Sequence, residues 1–518
     1  MLIFILFYDI DIMYLGGRNM RFAIKRGLVI ALGVLLQIAV SYLGYMFLIN
    51  NIYWVKIFYT FIALILTLLL IKDSKNYAFT LPWIIILILF PISGAVLYIV
   101  LGKNKLKSKT LKNILKNDKE SKKYYIPNNE IVNEINNNTR LKYICDYAKY
   151  PVTCNNETEY YPIGESGFEA MVKELKKAEN FIFFEYFIVK PGKMWDTILE
   201  ILTQKVKDGV EVRVMYDDMG CIGTLKSSYP KKLEGLGIKC VVFNHLNPLA
   251  GVIMNNRDHR KILIIDGKVA FSGGINISDE YINIGSKYGH WKDNAIKIKG
   301  EAVWNYTVMF LSMWNSFKNE DENYEKYKYN FEKKNSNKEY VVPYGETPLD
   351  NELTGEDIYL NIINQSNEYV YIMTPYLIID TDVINTLCLA AKRGVDVRIV
   401  IPGIPDKKIV YTLSESYIGI LARAGVKIYK YKPGFVHSKV FVADDKMATV
   451  GTINLDYRSL YLHFECGCYF ENGKIIEKVK ADVVDTIGKS ELILKKDIHP
   501  NIFKGMFQAL LRIVAPLM

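Results

Sequence analysis

From about residue 140 onward the chain writes one unit twice, and no other feature limits its fold as much. In the first copy the apolar run Phe181 to Phe187 leads into a helix ending Lys207-Asp208-Gly209, then the alternating strand Val210-Glu211-Val212-Arg213-Val214. In the second, Tyr369 to Tyr376 leads into a helix ending Lys392-Arg393-Gly394, then Val395-Asp396-Val397-Arg398-Ile399. Glycine follows each helix, as a C-terminal cap with positive φ requires. Leu236-Gly237-Ile238-Lys239 and Ala424-Gly425-Val426-Lys427 repeat the pattern of a helix end feeding a strand. Such alternation predicts an α/β fold: two tandem domains with mixed, largely parallel sheets flanked by helices. The domains fall at 141–318 and 341–518, separated by a polar linker at 319–340 rich in lysine, glutamate and asparagine.

The front of the chain is apolar. Neither Gly27 to Ile49 nor Asn76 to Gly102 contains a charged side chain, and each is long enough to cross about 30 Å of hydrocarbon as a helix. Between them Ile57 to Ile71 is apolar for only 15 residues. Core helices are normally amphipathic, whereas Leu28 to Leu48 is apolar around almost its whole circumference. The run is too long for a secretory h-region, and no small-x-small cleavage site follows it. These features predict a 1–26 basic lead, a membrane region at 27–102 with transmembrane helices at about 27–49, 53–71 and 77–101, and a basic linker at 103–140. Met20, just ahead of Arg21, Lys25 and Arg26, is the more ordinary start for such a protein. Lysines from Lys103 to Lys123 form the denser basic flank, which predicts a multi-pass protein of the cell membrane with everything after residue 102 in the cytoplasm.

The formal net charge is +10, much of it in that basic stretch, which would be drawn to anionic lipid headgroups at about 1 kcal/mol per residue near the surface. The seven cysteines are odd in number and widely spaced. Their one close pair, Cys466-x-Cys468, lacks a second pair, so reduced thiols and no metal site are expected. At the other end Ile502, Phe503, Met506, Phe507, Leu510, Leu511 and Val514 recur at helical spacing, predicting an amphipathic helix over Asn501 to Ala515 that covers either the catalytic region or a bilayer.

Two of the six histidines share one frame. His259-Arg260-Lys261-Ile262-Leu263-Ile264-Ile265-Asp266 and His437-Ser438-Lys439-Val440-Phe441-Val442-Ala443-Asp444 both read H-x-K-x-x-x-x-D. Each is followed at the same distance by a second signature, Gly273-Gly274-Ile275-Asn276 and Gly451-Thr452-Ile453-Asn454. On a strand His259 and Lys261 share a face, as do His437 and Lys439. An imidazole beside an ammonium is unfavourable in a closed core, because the positive charge resists protonation of the histidine and both groups lose hydration. The pair makes sense with a phosphate in front of it. Lysine then neutralises phosphoryl oxygens while histidine attacks phosphorus or moves a proton.

The doubled motif and its G-G/T-x-N sequel resemble the phospholipase D superfamily, whose members place two such motifs at a pseudo-twofold interface to form one active site. Glu185-Tyr186, Thr374-Pro375-Tyr376, Asn454-Leu455-Asp456-Tyr457-Arg458-Ser459 and Phe464-Glu465 look like bacterial cardiolipin synthases, as does the segment from Leu81-Pro82-Trp83 to Gly102. The resemblance implies a metal-free, cofactor-free phosphatidyltransferase. It would join two phosphatidylglycerol molecules into cardiolipin and glycerol through a phosphohistidine, working on anionic membrane lipid and not on nucleic acid. It implies His259 as nucleophile and His437 as general acid and base. Lys261, Lys439, Asn276 and Asn454 would bind phosphoryl oxygens, and Asp266 and Asp444, at the motif ends, would hold local structure. Asp293 and Glu465 follow their motif histidines by 34 and 28 residues, and by resemblance would orient imidazoles. Gly274 stands where some relatives have serine. The alternatives are a phospholipase D-type hydrolase or another phosphatidyltransferase on the same site, and a non-catalytic lipid-binding protein, against which the intact motifs count.

Overall fold

The computed structural model describes residues 39, 42, 52–72, 76–98, 109–244, 256–285, 287–321, 323–332, 339–350, 352–494 and 500–517. The chain forms two compact units, one of residues 1–106, 246–255 and 503–518, the other of residues 107–245 and 256–502.

In the larger unit each copy of the repeat builds one sheet. The first copy supplies β1 (Asn156–Tyr161), β2 (Phe181–Tyr186), β3 (Glu211–Asp217), β4 (Lys239–Phe243), β5 (Lys261–Ile265), β6 (Val269–Gly273), β7 (His290–Lys292) and β8 (Ala295–Gly300). Seven of them pair in the order β1-β8-β6-β5-β2-β3-β4. The second copy supplies β9 (Tyr340–Glu346), β10 (Tyr369–Met373), β11 (Leu377–Ile378), β12 (Asp396–Pro402), β13 (Lys427–Tyr431), β14 (Gly434–Val436), β15 (Val440–Ala443), β16 (Met447–Gly451), β17 (Leu455–Asp456), β18 (Glu465–Glu471) and β19 (Ser490–Leu492). Eight of these pair as β19-β13-β12-β10-β15-β16-β18-β9.

The sheets are mixed but mostly antiparallel, which corrects the expectation of largely parallel ones. Only β2-β3-β4 and β10-β12-β13, the strand-helix-strand units legible in the repeat, run parallel within them. The remainder reverses because each motif strand ends in a tight hairpin. Lys268 N–H donates to Ile265 C=O at 2.9 Å, and Lys446 N–H to Ala443 C=O at 3.0 Å. The two residues inside each turn, Asp266-Gly267 and Asp444-Asp445, all have positive φ, as a two-residue hairpin turn demands. So short a connection can only join antiparallel neighbours.

The motif strands β5 and β15 are central, so their apolar tetrads are buried on both faces. Each half closes with a helix that reaches across. Val303–Phe317 touches β5 of its own half and β9 of the other, while Lys474–Gly488 touches β10 and β15 of its own half and β1 of the other. The first is buried around nearly its whole circumference, and its polar side chains Asn305, Thr307, Asn315 and Ser316 are hydrogen-bonded inside. Helix Lys109–Ser121, within the stretch read as a basic linker, packs against Val303–Phe317, with Asn117 Nδ2 donating to Ser316 Oγ at 3.4 Å.

The smaller unit overturns the expectation of transmembrane helices and of a multi-pass placement. Among the described residues no helix is long and apolar enough to cross a membrane. In helix Ile52–Lys72 the apolar run Ile57 to Ile71 is about 22 Å long at 1.5 Å per residue, short of about 30 Å of hydrocarbon. The expected span at 77–101 breaks at Phe90 into Tyr77–Leu89 and Pro91–Leu97, because Pro91 cannot donate to the preceding turn. Apart from residues 39 and 42, the 27–49 candidate and the 1–26 lead lie outside the described residues. The terminal helix forms over Ile502–Val514, burying Gln508 and Leu511 and exposing Ile502, Phe503, Met506, Phe507 and Leu510.

Candidate active site

His259 lies two residues before β5 and His437 three before β15, and each is tied by its backbone to a segment of the other half. His437 N–H donates to Lys292 C=O at 2.7 Å, where β14 pairs in parallel with β7. His259 N–H donates to Phe464 C=O at 2.8 Å, and Phe464 N–H returns a bond of 2.8 Å to Arg257 C=O. The residues next to those straps are the two acids, Asp293 and Glu465. The straps therefore carry each acid to the histidine of the opposite copy. His437 Nδ1 lies 2.7 Å from Asp293 Oδ2, and His259 Nδ1 lies 2.9 and 2.8 Å from the two oxygens of Glu465.

Both acids are fully buried and held from behind. Asn294 N–H donates to Asp293 Oδ1 at 2.9 Å, and Thr452 Oγ1–H donates to Glu465 Oε2 at 2.5 Å. Behind Asp293, Lys292 Nζ bonds Asp482 of the other half at 2.8 Å, and Tyr160 O–H donates to the same carboxylate at 2.6 Å. A carboxylate beside Nδ1 favours the tautomer with hydrogen on Nδ1 and leaves the Nε2 lone pair free. Among the described residues, neither Nε2 makes a hydrogen bond.

Lys261 and Lys439 are as buried as the acids, and among the described residues neither makes an ion pair. Lys261 Nζ donates to His259 C=O at 2.6 Å, and Lys439 Nζ donates to His437 C=O. Burial pushes Lys261 down to about 8 and Lys439 down to about 7, against the pull of the nearby carboxylates. Burial also holds His259 well below the ordinary imidazole value, aided by the charges of Lys261, Lys439 and His437. His437 falls to about 4 through burial and Lys439, opposed by Asp293. Burial alone would raise the Asp293 carboxyl, but the His437 ring and Lys439 keep it below its usual range. Two imidazoles kept neutral beside two buried lysines that, among the described residues, make no direct ion pair form a cradle suited to an anionic, electrophilic group.

The other expected residues lie close by with different duties. Asp266 accepts N–H groups from Glu179, Asn180 and Phe181 at 2.7–2.9 Å, and Asp444 accepts those of Asn367, Glu368 and Tyr369 at 2.7–3.0 Å. These carboxylates bind each hairpin turn to the start of the neighbouring central strand. Asn276 Oδ1 accepts Ile188 N–H at 3.1 Å and its Nδ2 donates to Tyr281 Oη at 2.8 Å. Asn454 Oδ1 is buried with no hydrogen-bond partner among the described residues. Three nearby residues escaped the sequence reading: Thr452 as the donor to Glu465, Tyr281 edge-on to His437 at 5.3 Å, and His463 beside His259 at 5.6 Å. The only signal for His463 was its place two residues before Glu465.

Residues 171–314 and 359–485 match the family described as "Cardiolipin synthase, PLD-like domain". The chain is 44% identical over 459 residues to an uncharacterized protein of Streptococcus mutans, covering 87% of this chain and 99% of that one. It is 33% identical over 468 residues to a cardiolipin synthase of Clostridium perfringens, covering 86% and 95%. It is 30% identical over 475 residues to a cardiolipin synthase of Alkalihalophilus pseudofirmus, covering 89% and 93%. The fold is also that of a phosphatidylserine synthase from Haemophilus influenzae, with a TM-score of 0.57 at 15% identity over 73% of this chain and 98% of that one. With the duplicated motif converging on one site and the match running through both halves, the chain belongs to the bacterial cardiolipin synthases of the phospholipase D superfamily.

Proposed function

We propose that the chain transfers a phosphatidyl group from one phosphatidylglycerol to another, giving cardiolipin and glycerol. The observation that carries this reading is the crossed site: two neutral imidazoles, each backed by a carboxylate of the other half, around two buried lysines that make no ion pair among the described residues. The phosphodiester of the first lipid enters with its charge against Lys261 and Lys439. Asn454 and the lysines stabilise the charge that builds on the phosphoryl oxygens. His437, which takes up a proton from solvent at Nε2 as the anionic phosphodiester binds, gives that proton to the headgroup glycerol oxygen while His259 Nε2 forms a bond to phosphorus and the bond from phosphorus to that oxygen breaks. The positive charge left on the phosphorylated ring faces Glu465. His437 then takes a proton from a headgroup hydroxyl of the second phosphatidylglycerol, whose oxygen attacks phosphorus and returns His259 to its neutral state. Bringing the anionic phosphodiester beside His437 raises the proton affinity that burial had lowered. Asp266 and Asp444 act by fixing the hairpins behind the site.

The test is mass spectrometry of the lipids formed when purified protein receives phosphatidylglycerol alone. Cardiolipin with an equal amount of glycerol is expected, and His259→Ala and His437→Ala should each abolish it, since the two imidazoles act as one unit. Phosphatidic acid as the main product would replace the transferase with a hydrolase. Appreciable turnover in either variant would overturn the two-histidine mechanism.

A further inference from the structure

Two rings occupy matching places in the two halves. Trp291 lies two residues before Asp293 and His463 two residues before Glu465. Each ring lies against the opposite copy's histidine, Trp291 at 5.4 Å from His437 and His463 at 5.6 Å from His259. The two copies differ in what that ring can do. An indole offers no lone pair to a metal, whereas an imidazole offers one. The side chain of His463 is only 11% exposed, and among the described residues neither of its ring nitrogens has a hydrogen-bond partner. Its Nδ1 stops 3.6 Å from Glu465 Oε1, too far for a hydrogen bond. Leaving a buried imidazole unpartnered is costly, and such a group calls for a ligand. A ring nitrogen of His259, a ring nitrogen of His463 and a carboxylate oxygen of Glu465 all lie within 4.8 Å of one another.

We propose that His259, His463 and Glu465 form an inhibitory site for a divalent transition-metal ion of the zinc class. Two imidazoles and a carboxylate are a donor set that suits zinc, with bonds of about 2.0–2.2 Å and a fourth position left for water or a phosphate oxygen. Magnesium and calcium, which seek oxygen donors, are poorly served by it. To ligate a tetrahedral ion the donors must close from the present spread, which the two rings would do by rotating about their side-chain bonds. The ammonium groups of Lys261 and Lys439 oppose a cation, but the Glu465 and Asp293 carboxylates beside them cancel their formal charge. Ligation moves no electrons between partners. It ties up the ring that must attack phosphorus and, where Nδ1 is the ligand, releases its proton to solvent. Among the described residues His437 has no such donor set, because Trp291 stands in the matching place.

Inhibition rests on the proposed transfer reaction, but metal binding does not, so the two are measured separately. In the first arm the purified full chain, without lipid, is titrated with Co²⁺ and the visible absorption of a tetrahedral ion is followed, with Zn²⁺ displacing it. One ion is expected in the wild type and in His437→Ala, and none in His259→Ala. His463→Phe, which keeps a ring without a donor, and His463→Leu should weaken binding at least about tenfold. In the second arm Zn²⁺ inhibits transfer in phosphatidylglycerol vesicles and a chelator restores it, while the His463 variants need at least about tenfold more Zn²⁺ to lose the same fraction of their own metal-free rate. Thermal melts select whichever His463 variant is folded. Unchanged cobalt binding in that variant or in His259→Ala would overturn the site. Loss of all lipid turnover with intact cobalt binding would instead overturn the proposed function.

Discussion

His437 Nδ1 and Asp293 Oδ2 are 2.7 Å apart although 144 residues separate them, and the acid belongs to the copy whose own histidine is His259. His259 makes the reciprocal pair with Glu465, 206 residues away. Among the described residues, neither motif histidine is paired with a carboxylate of its own copy. The duplication is therefore needed for each imidazole to have its partner, beyond supplying a second imidazole.

This crossing has a spectroscopic consequence. In Asp293→Asn the amide should release the tautomer of His437 and leave that of His259 in place, and Glu465→Gln should do the reverse. Imidazole ¹⁵N shifts of the folded variants read this directly. Each variant should also lose about 10³- to 10⁴-fold in kcat, the scale seen when a buried aspartate behind a catalytic histidine becomes asparagine. A change at His259 in Asp293→Asn would mean that the pairs are not crossed in solution.

Much of this was legible in the sequence. The repeat located β2-β3-β4 and β10-β12-β13, and the doubled motif pointed to the histidines and lysines that meet in the site. Sheet direction was misjudged because Asp266 and Asp444 were read as motif ends and not as hairpin turns. Asp266-Gly267 is a strong local hairpin signal, but Asp444-Asp445 is weaker and takes the same conformation only because the packed sheet holds it. The crossing of the acids was illegible, since a distance of 34 or 28 residues along the chain does not say which of two similar halves a strand will lean on. The expected spans failed for a different reason. Absence of charge was given more weight than two features the sequence also carries: Pro91, which divides the 77–101 stretch, and the 15-residue length of the run from Ile57 to Ile71.

The two motif aspartates should behave as structural residues. Each carboxylate takes three backbone N–H groups, which would be left without partners in Asp266→Ala or Asp444→Ala. A loss of about 2–4 kcal/mol in urea unfolding is expected for either variant. The kcat of the molecules that remain folded should stay within about threefold of wild type, because each carboxylate holds the backbone at the start of a neighbouring strand and not the rings or lysines of the site. A large fall in kcat with unchanged stability would return these aspartates to the chemistry.

Lys439 contributes to the pH dependence of stability in the unliganded protein. Burial pushes it down to about 7, against about 10.4 in an unfolded chain. Between those values the unfolded state binds a proton that the folded state does not, so the contribution of this group to stability increases with pH and is lost as pH falls through that window. Lys439→Met removes the titration. The unfolding free energy of wild type should therefore gain on that of the variant from pH 7 to pH 10, by up to about 1.4 kcal/mol per unit. Parallel curves would show that the ammonium is not disfavoured by its surroundings.

Gly274 and Thr452 hold equivalent places, and making them alike should damage the site. In the second copy the Thr452 hydroxyl fills the space behind Glu465 and donates to it at 2.5 Å. In the first copy the shorter Asp293 occupies that space itself, and a Cβ on residue 274 would lie 1.9 Å from its Oδ1. By resemblance alone, serine or threonine at 274 would add a useful donor. The structure gives the opposite sign, because Asp293 is fully buried, is anchored by Asn294 N–H, and can escape the new side chain only by leaving His437. Gly274→Thr should therefore lower kcat by at least about tenfold, a loss of about 1.4 kcal/mol of transition-state stabilisation, and perturb the ¹⁵N shifts of His437 but not those of His259. Adding Asp293→Gly to Gly274→Thr relieves the clash, so it should recover thermal stability without recovering kcat. Equal or higher activity in Gly274→Thr would mean that the two acids are interchangeable in their pockets and that the asymmetry between the copies has no part in catalysis.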